Sequence, residues 1–303
     1  MELLTVTCER DLPDMLLQAD SINKFVQSPC RHQVIIEDES KSYDEWYNIL
    51  SPYYKKHELI LHWNKRPDMD FSHEFTPYKH RPDARNGIGG LGWRHQQILK
   101  MKYTAEFAKD SSVLVLDSKN FFVRPTDLEN WPVKHGNGEF ITFKEIEAVE
   151  QLSTIKNWAY HLRDDYNLKI PEKLAMILET PFVWQTKIVK YIWDNYDIPG
   201  MFLNPSVFPN SEFHMYFFFV DPEELIETKN KICRVMLWSP KVSYEEYISS
   251  GTLHCDQIES PTHGLHRQVR QDMTEQSIEI YEKWLTYKGL DAKLVNDYIT
   301  WCR

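Results

Sequence analysis

Between residues 3 and 61 the chain alternates short β-branched runs with amphipathic stretches, and that alternation limits its fold more than any other feature. Leu3 to Cys8 reads as a first strand, closed by the polar segment Glu9-Arg10-Asp11 and by Pro13, which suits the first turn of a helix. Met15, Leu16, Ala19, Ile22 and Phe25 then recur every three or four residues, the spacing of one helical face. Val34-Ile35-Ile36 is the second strand, Tyr43 to Leu50 the second helix, and Leu59-Ile60-Leu61 the third strand. Strand, helix, strand, helix, strand predicts an α/β fold with a mostly parallel, doubly wound central sheet flanked by helices.

The rhythm breaks between Asn64 and Asn86, where Pro67, Pro77 and Pro82 interrupt a polar stretch long enough to suggest a functional loop or lid. Gly87, Gly89, Gly90 and Gly92 follow, then a predicted helix from Trp93 to Phe107. Val113-Leu114-Val115-Leu116 is the clearest buried strand, and it runs straight into Asp117-Ser118-Lys119-Asn120. Beyond Pro125 the pattern predicts a strand over Phe140–Phe143 and helices over Ile146–Leu162, Lys173–Leu178, Val183–Tyr196 and Pro222–Ile232. The end, Thr274 to Trp301, reads as helical with an interruption near Gly289. With no repeat and no low-complexity linker, the expectation is one domain over 1–303 with an elaborated C-terminal half.

Charge and cysteine content narrow the function classes. The formal net charge of -10, with no dense Lys/Arg run, lacks the basic footprint a nucleic-acid backbone requires, so nucleic acid is not an expected partner. A phosphate-bearing small molecule needs only a local positive pocket. The five cysteines are odd in number, widely spaced and free of any C-x-x-C pair, which disfavours a disulfide scaffold and points to a reducing cytoplasm. Glu9, Arg10 and Asp11 arrive too early for a signal peptide, and no stretch reaches the roughly 20 apolar residues of a membrane helix.

Ligands of open α/β sheets bind outside the carboxyl ends of the strands, which is where the pattern puts Asp117. A carboxylate there must meet solvent, a cation or a metal, or cap the following turn. Lys119, two residues on, is either a counter-charge for a diphosphate or a solvated loop lysine. Arg94, Gln97 and Lys100 form a polar set on the next helix back, readable as a phosphate or donor-sugar contact or as a solvated face. Gly87-Ile88-Gly89-Gly90 is neither a dinucleotide fingerprint nor a P-loop. Glu212, opening the apolar run Phe213 to Phe219, is a candidate general base or sugar-hydroxyl acceptor as well as an ordinary edge residue. His263 and His266 have a spacing that suits two metal ligands, but a zinc site needs at least one more.

Taken together, several segments resemble a poorly characterised family of bacterial and viral glycosyltransferase-like proteins with the GT-A type nucleotide-diphospho-sugar fold. The carriers are Val6-Thr7-Cys8-Glu9-Arg10-Asp11, Gly92-Trp93-Arg94-His95-Gln96-Gln97-Ile98-Leu99-Lys100, Leu116-Asp117-Ser118-Lys119-Asn120-Phe121-Phe122-Val123-Arg124-Pro125, Ser211-Glu212-Phe213-His214-Met215-Tyr216 and His266. The resemblance spans roughly residues 3 to 270. It implies a nucleoside diphosphate sugar as donor and a hydroxyl acceptor such as a glycan. It also implies a nucleotide-sugar-binding half over about 1–125 and an acceptor-binding, C-terminal helical half over 126–303. Thr7 and Asp11 would position the nucleotide, with Arg94, Gln97 and Lys100 near the phosphates, Asp117 and Lys119 at the leaving group, and Glu212 at the acceptor. In that family an Asp-x-Asp pair holds Mn²⁺ or Mg²⁺, and a late histidine completes the site, which would make Asp117 and His266 the metal ligands here. The second aspartate is Lys119 in this chain, so the charge at that position changes by two units. Lys119 therefore replaces the metal, leaves Asp117 and His266 to hold one weakly, or costs the chain its catalysis. The rival readings are a nucleotidyltransferase, which the loop Cys8-Glu9-Arg10-Asp11 does not equip for a triphosphate, and a non-catalytic nucleotide- or glycan-binding protein.

Overall fold

The computed structural model describes residues 1–37, 41–64, 91–129, 180–203, 261–265 and 273–302, with the short pieces 145–146, 174–175, 215–216, 219, 236–237 and 270. Its centre is a five-stranded sheet. Strand β1 (Glu2–Thr7) pairs in parallel with β2 (Arg31–Ile36), and β2 with β3 (Glu58–Trp63). On its other side β1 pairs in parallel with β4 (Ser112–Asp117), and β4 pairs antiparallel with Phe182–Gln185. The order β3-β2-β1-β4 reverses direction between β1 and β4. In sheets of this kind such a reversal marks the place, at the strands' carboxyl ends, where ligands bind. The expected mostly parallel α/β sheet is therefore what the chain forms.

Helix α1 (Leu12–Phe25) starts with Pro13 in its first turn and lies against the sheet through Met15, Leu17, Ala19 and Ile22. Helix α2 (Tyr43–Leu50) occupies the predicted span and begins at a capping box, in which the Ser42 and Glu45 side chains each satisfy the other's backbone amide. Helix α3 (Leu91–Phe107) leads into β4. Its buried face, with Ile98, Met101 and Ala105, joins Val113, Val115, Phe182 and Trp184 in one core cluster.

Two spans read as helix are strand in part. Leu174–Ala175 pairs antiparallel with Glu145–Ile146, so a helix over Lys173–Leu178 is not what forms there. Phe182–Gln185 is the fifth strand of the main sheet, and the helix of that region, α4, runs only over Thr186–Asn195. The apolar triplet Phe182-Val183-Trp184 is buried, which suits a strand paired on β4 better than an amphipathic helix. After α5 (Ile198–Leu203), the short strand Met236–Leu237 pairs in parallel with Thr262–Leu265, which in turn pairs antiparallel with Asn120–Phe122. The C-terminal pair α6 (Glu275–Tyr287) and α7 (Ala292–Cys302) turns at Gly289, whose φ of 81° is a conformation that L side chains rarely adopt. The predicted interruption falls at that residue. Predicted elements over Phe140–Phe143, most of Ile146–Leu162, and Pro222–Ile232 lie outside the described residues.

Candidate functional site at the carboxyl ends of β1 and β4

Asp117 is the last residue of β4, and Val6 is its partner on β1. Its two carboxylate oxygens meet different cations. Lys100 Nζ, one helix back on α3, lies 2.8 Å from Oδ1, and Lys119 Nζ lies 3.0 Å from Oδ2. Burial alone would raise the Asp117 pKa, but the two ammoniums outweigh it and hold the carboxyl well below the usual carboxylate range. One carboxylate against two ammoniums leaves a local excess of one positive charge in a chain of net charge -10. The two lysines are not equivalent, for Lys100 is 3% exposed while Lys119 is 20% exposed. Lys119 can therefore meet a ligand, whereas Lys100 holds Asp117 from beneath.

The turn that carries Lys119 is fixed on three sides. The Asp117 amide donates to Asn120 Oδ1 at 2.8 Å, and Asn120 is fully buried. Gln18 on α1 donates its Nε2 hydrogens to the Asp117 carbonyl, at 2.8 Å, and to the Asn120 carbonyl. Ser21, one turn along α1, accepts from the Phe122 amide at 3.0 Å. From the third side Gly264 comes so close that an added Cβ would sit 2.8 Å from Asn120 Nδ2 and 3.2 Å from the Lys119 carbonyl. Gly264→Ala is expected to push the turn and to lower stability by about 1–3 kcal/mol. Thermal unfolding of that variant measures the cost, and an unchanged midpoint would show that the turn yields freely.

The other sequence candidates fall around this centre in different ways. Thr7 ends β1 and is buried, and its hydroxyl has no hydrogen-bond partner among the described residues. Asp11 lies in the turn after β1, bonded to Arg10 Nε at 3.3 Å. Arg94, Gln97 and Lys100 are all buried, so the solvated-face reading of that set does not hold. Arg94 donates to the Phe202 carbonyl at 3.0 Å, a contact that ties α3 to α5. His263 is fully buried, with ring contacts to Phe121, Tyr281 and Trp284, which places it in the core. Of the Ser211–Tyr216 motif, Met215 and Tyr216 are described, both in the core. Glu212 and His266 lie outside the described residues.

Two polar side-chain pairs near the carboxyl ends of the strands were not anticipated. His95 Nδ1 lies 2.8 Å from Glu37 Oε1, joining α3 to the carboxyl end of β2. Asp14 at the start of α1 meets Arg270 through two contacts of 3.1 and 3.4 Å. The signal for the first was the acidic Glu37 directly after a strand; the second has no local signal at a separation of 256 residues.

A divalent cation fits this arrangement poorly. Both Asp117 oxygens are held by ammoniums, so a divalent cation on this carboxylate would have to displace at least one lysine.

No family model matches the chain, and no curated protein does. Among solved structures, the glycosyltransferase GlyE of Streptococcus pneumoniae TIGR4 aligns over 99% of this chain at 8% identity, with a TM-score of 0.43. The chain spans 64% of the length of GlyE. An active-site mutant of LgtC aligns over 95% of both chains at 13% identity and a TM-score of 0.45. Mouse xyloside xylosyltransferase 1 aligns over 87% of this chain and 96% of its own, at 11% identity and a TM-score of 0.36. With all three TM-scores below 0.5, these are likenesses of chain path and no more. Among the described residues, no helix is long and apolar enough to cross a membrane.

Proposed function

We propose that this chain is a glycosyltransferase that moves a sugar from a nucleoside diphosphate to a hydroxyl acceptor, a glycan by preference, without a divalent cation. The observation that carries the reading is the Asp117 carboxylate clamped by Lys100 and Lys119 at the sheet's reversal point. Breaking the glycosidic bond to a diphosphate leaves negative charge on the departing oxygen, and a fixed cation there is the main electrostatic demand of the step. Lys119 supplies that cation. Asp117 holds it in place together with Lys100, and so serves as the lysines' orienting group. The sequence motifs from Gly92 to Lys100 and from Leu116 to Pro125 support the donor class. Thr7 and Asp11 are the proposed nucleotide-side contacts, with Glu212 on the acceptor side.

The test is a panel of nucleoside diphosphate sugars offered with excess EDTA and, separately, with Mn²⁺. Expected are thermal stabilisation by one donor and release of its nucleoside diphosphate, at rates that EDTA does not reduce. Stabilisation without sugar release would favour a nucleotide- or glycan-binding protein. Turnover that appears only with Mn²⁺ would sink the cation-free mechanism.

A further inference from the structure

Behind the lysine clamp lies a run of buried polar side chains that a core of this kind has no need of for packing. Gln18, Thr5 and His32 are each 0% exposed and Tyr54 is 9% exposed. They are linked end to end. Thr5 Oγ1 lies 2.8 Å from Gln18 Oε1 and 2.9 Å from His32 Nε2, and His32 Nδ1 lies 2.7 Å from the Tyr54 hydroxyl. The run crosses from the loop before β3, through β2 and β1, to helix α1 and the end of β4.

The direction of every bond follows from its last members. The Asp117 and Asn120 carbonyls only accept, so the Gln18 amide must turn its NH₂ toward them and its oxygen toward Thr5. Thr5 has one hydroxyl hydrogen, which goes to Gln18 Oε1, so Thr5 accepts from His32 and the proton of the ring sits on Nε2. His32 Nδ1 then accepts from Tyr54. This requires neutral His32, and burial, aided by the neighbouring His57, pushes its pKa down to about 3. Four donors thus point one way, toward the turn. Hydrogen bonds in such a chain polarise one another in a low-dielectric interior, and losing one partner leaves the rest unsatisfied.

We propose that Tyr54, His32, Thr5 and Gln18 form a one-directional hydrogen-bond chain that positions the Asp117–Asn120 turn, with Gln18 as the positioning residue for the lysine-clamped site. Gln18 is fully buried, away from solvent and solutes. It acts through the two carbonyls it holds, and these bracket Ser118 and Lys119. The consequence for ligand binding rests on the diphosphate reading above, whereas the positioning of the turn does not.

The experiment compares the parent with Gln18→Met, Gln18→Glu, Thr5→Val and Thr5→Ser, using backbone amide exchange by NMR and binding of inorganic pyrophosphate. Glu has the shape of Gln, but ionised it sets a carboxylate against two carbonyls and protonated it has one hydrogen for the two, so either form leaves a carbonyl unsatisfied and probes bond direction. Thr5→Ser keeps the hydroxyl and controls for side-chain volume. Expected is at least tenfold faster exchange at the Asp117 amide in Gln18→Met, Gln18→Glu and Thr5→Val. Exchange at Val113–Leu116 stays near the parent value, Thr5→Ser matches the parent, and pyrophosphate affinity falls at least fivefold in the first three. The ring proton of His32 should report Nε2–H in the parent and lose that preference in Thr5→Val. An Asp117 amide unaffected in Gln18→Glu, or equal acceleration across the whole of β4, would overturn the proposal, the second outcome marking a general loss of stability. Absence of pyrophosphate binding in the parent would count against the diphosphate reading alone, since the exchange data still decide the positioning role.

Discussion

Replacing Lys119 by alanine is expected to lower donor turnover by about two orders of magnitude, the usual loss when one preorganised charge-stabilising group is removed. The loss follows from the local charge. Lys100, Asp117 and Lys119 together carry an excess of one positive charge, and without Lys119 that excess falls to zero. Lys100 cannot take over, because it is 3% exposed and already spent on Asp117 Oδ1. Folding should survive, since Lys119 is partly exposed and Asp117 keeps its inner partner. Lys119→Asp goes further and leaves two carboxylates against one ammonium. That variant is expected to be inactive in EDTA and to bind donor in response to Mn²⁺, a response not expected of the parent. Steady-state kinetics of the three proteins, with and without chelator, measure this. Turnover by Lys119→Ala within about threefold of the parent would remove Lys119 from the mechanism.

The sheet was legible because its strands are short, β-branched and separated by helices with clear periodicity. Tyr43–Leu50 was read in full because Ser42 and Glu45 punctuate it and Trp46 and Leu50 give it a buried face. The position of Asp117 at a strand end followed from the four apolar residues before it. Val183–Gln185 was misread as helix because an apolar run joined to an amphipathic helix shows no boundary in periodicity alone. Only the pairing with β4 marks it as a strand. The polar contacts were the least legible part. Lys100 was grouped with Arg94 and Gln97 by helical spacing, yet it reaches Asp117 while Arg94 reaches Phe202. Nothing local distinguishes those destinations. Thr5, Gln18 and His32 carry no sequence signal of their own. Their meaning comes from the register of β1 on β2 and the seat of α1.

Arg270→Ala is expected to cost about 3–5 kcal/mol of stability, the loss typical of stranding one member of a buried ion pair. Asp14 is 1% exposed, so it keeps almost no water, and Arg270 provides both of its charged contacts. Burial already pushes the Asp14 carboxyl up to about 6 against the opposing pull of Arg270. The guanidinium also stacks 4.2 Å from the centre of the Trp301 ring, so its loss removes packing between α1 and the C-terminal helix. For a chain of this size the deficit corresponds to a fall of roughly 10 °C in the unfolding midpoint. The pH dependence separates charge from packing. Without Arg270, the folded-state pKa of Asp14 stands still further above its unfolded value. The penalty is therefore fully present above the folded pKa and shrinks as acidification protonates the carboxyl. The midpoint difference between Arg270→Ala and the parent should be larger at pH 7.5 than at pH 5. A difference independent of pH would assign the whole loss to the Trp301 contact. Replacing both partners, Asp14→Leu with Arg270→Met, should recover much of the stability, because no buried charge is left to satisfy. Asp14 also feels the charge of Lys119. The single variant thus leaves an unmatched carboxylate near the proposed diphosphate cation, and its donor affinity should fall at pH 7.5, while the double variant, lacking that carboxylate, should bind like the parent.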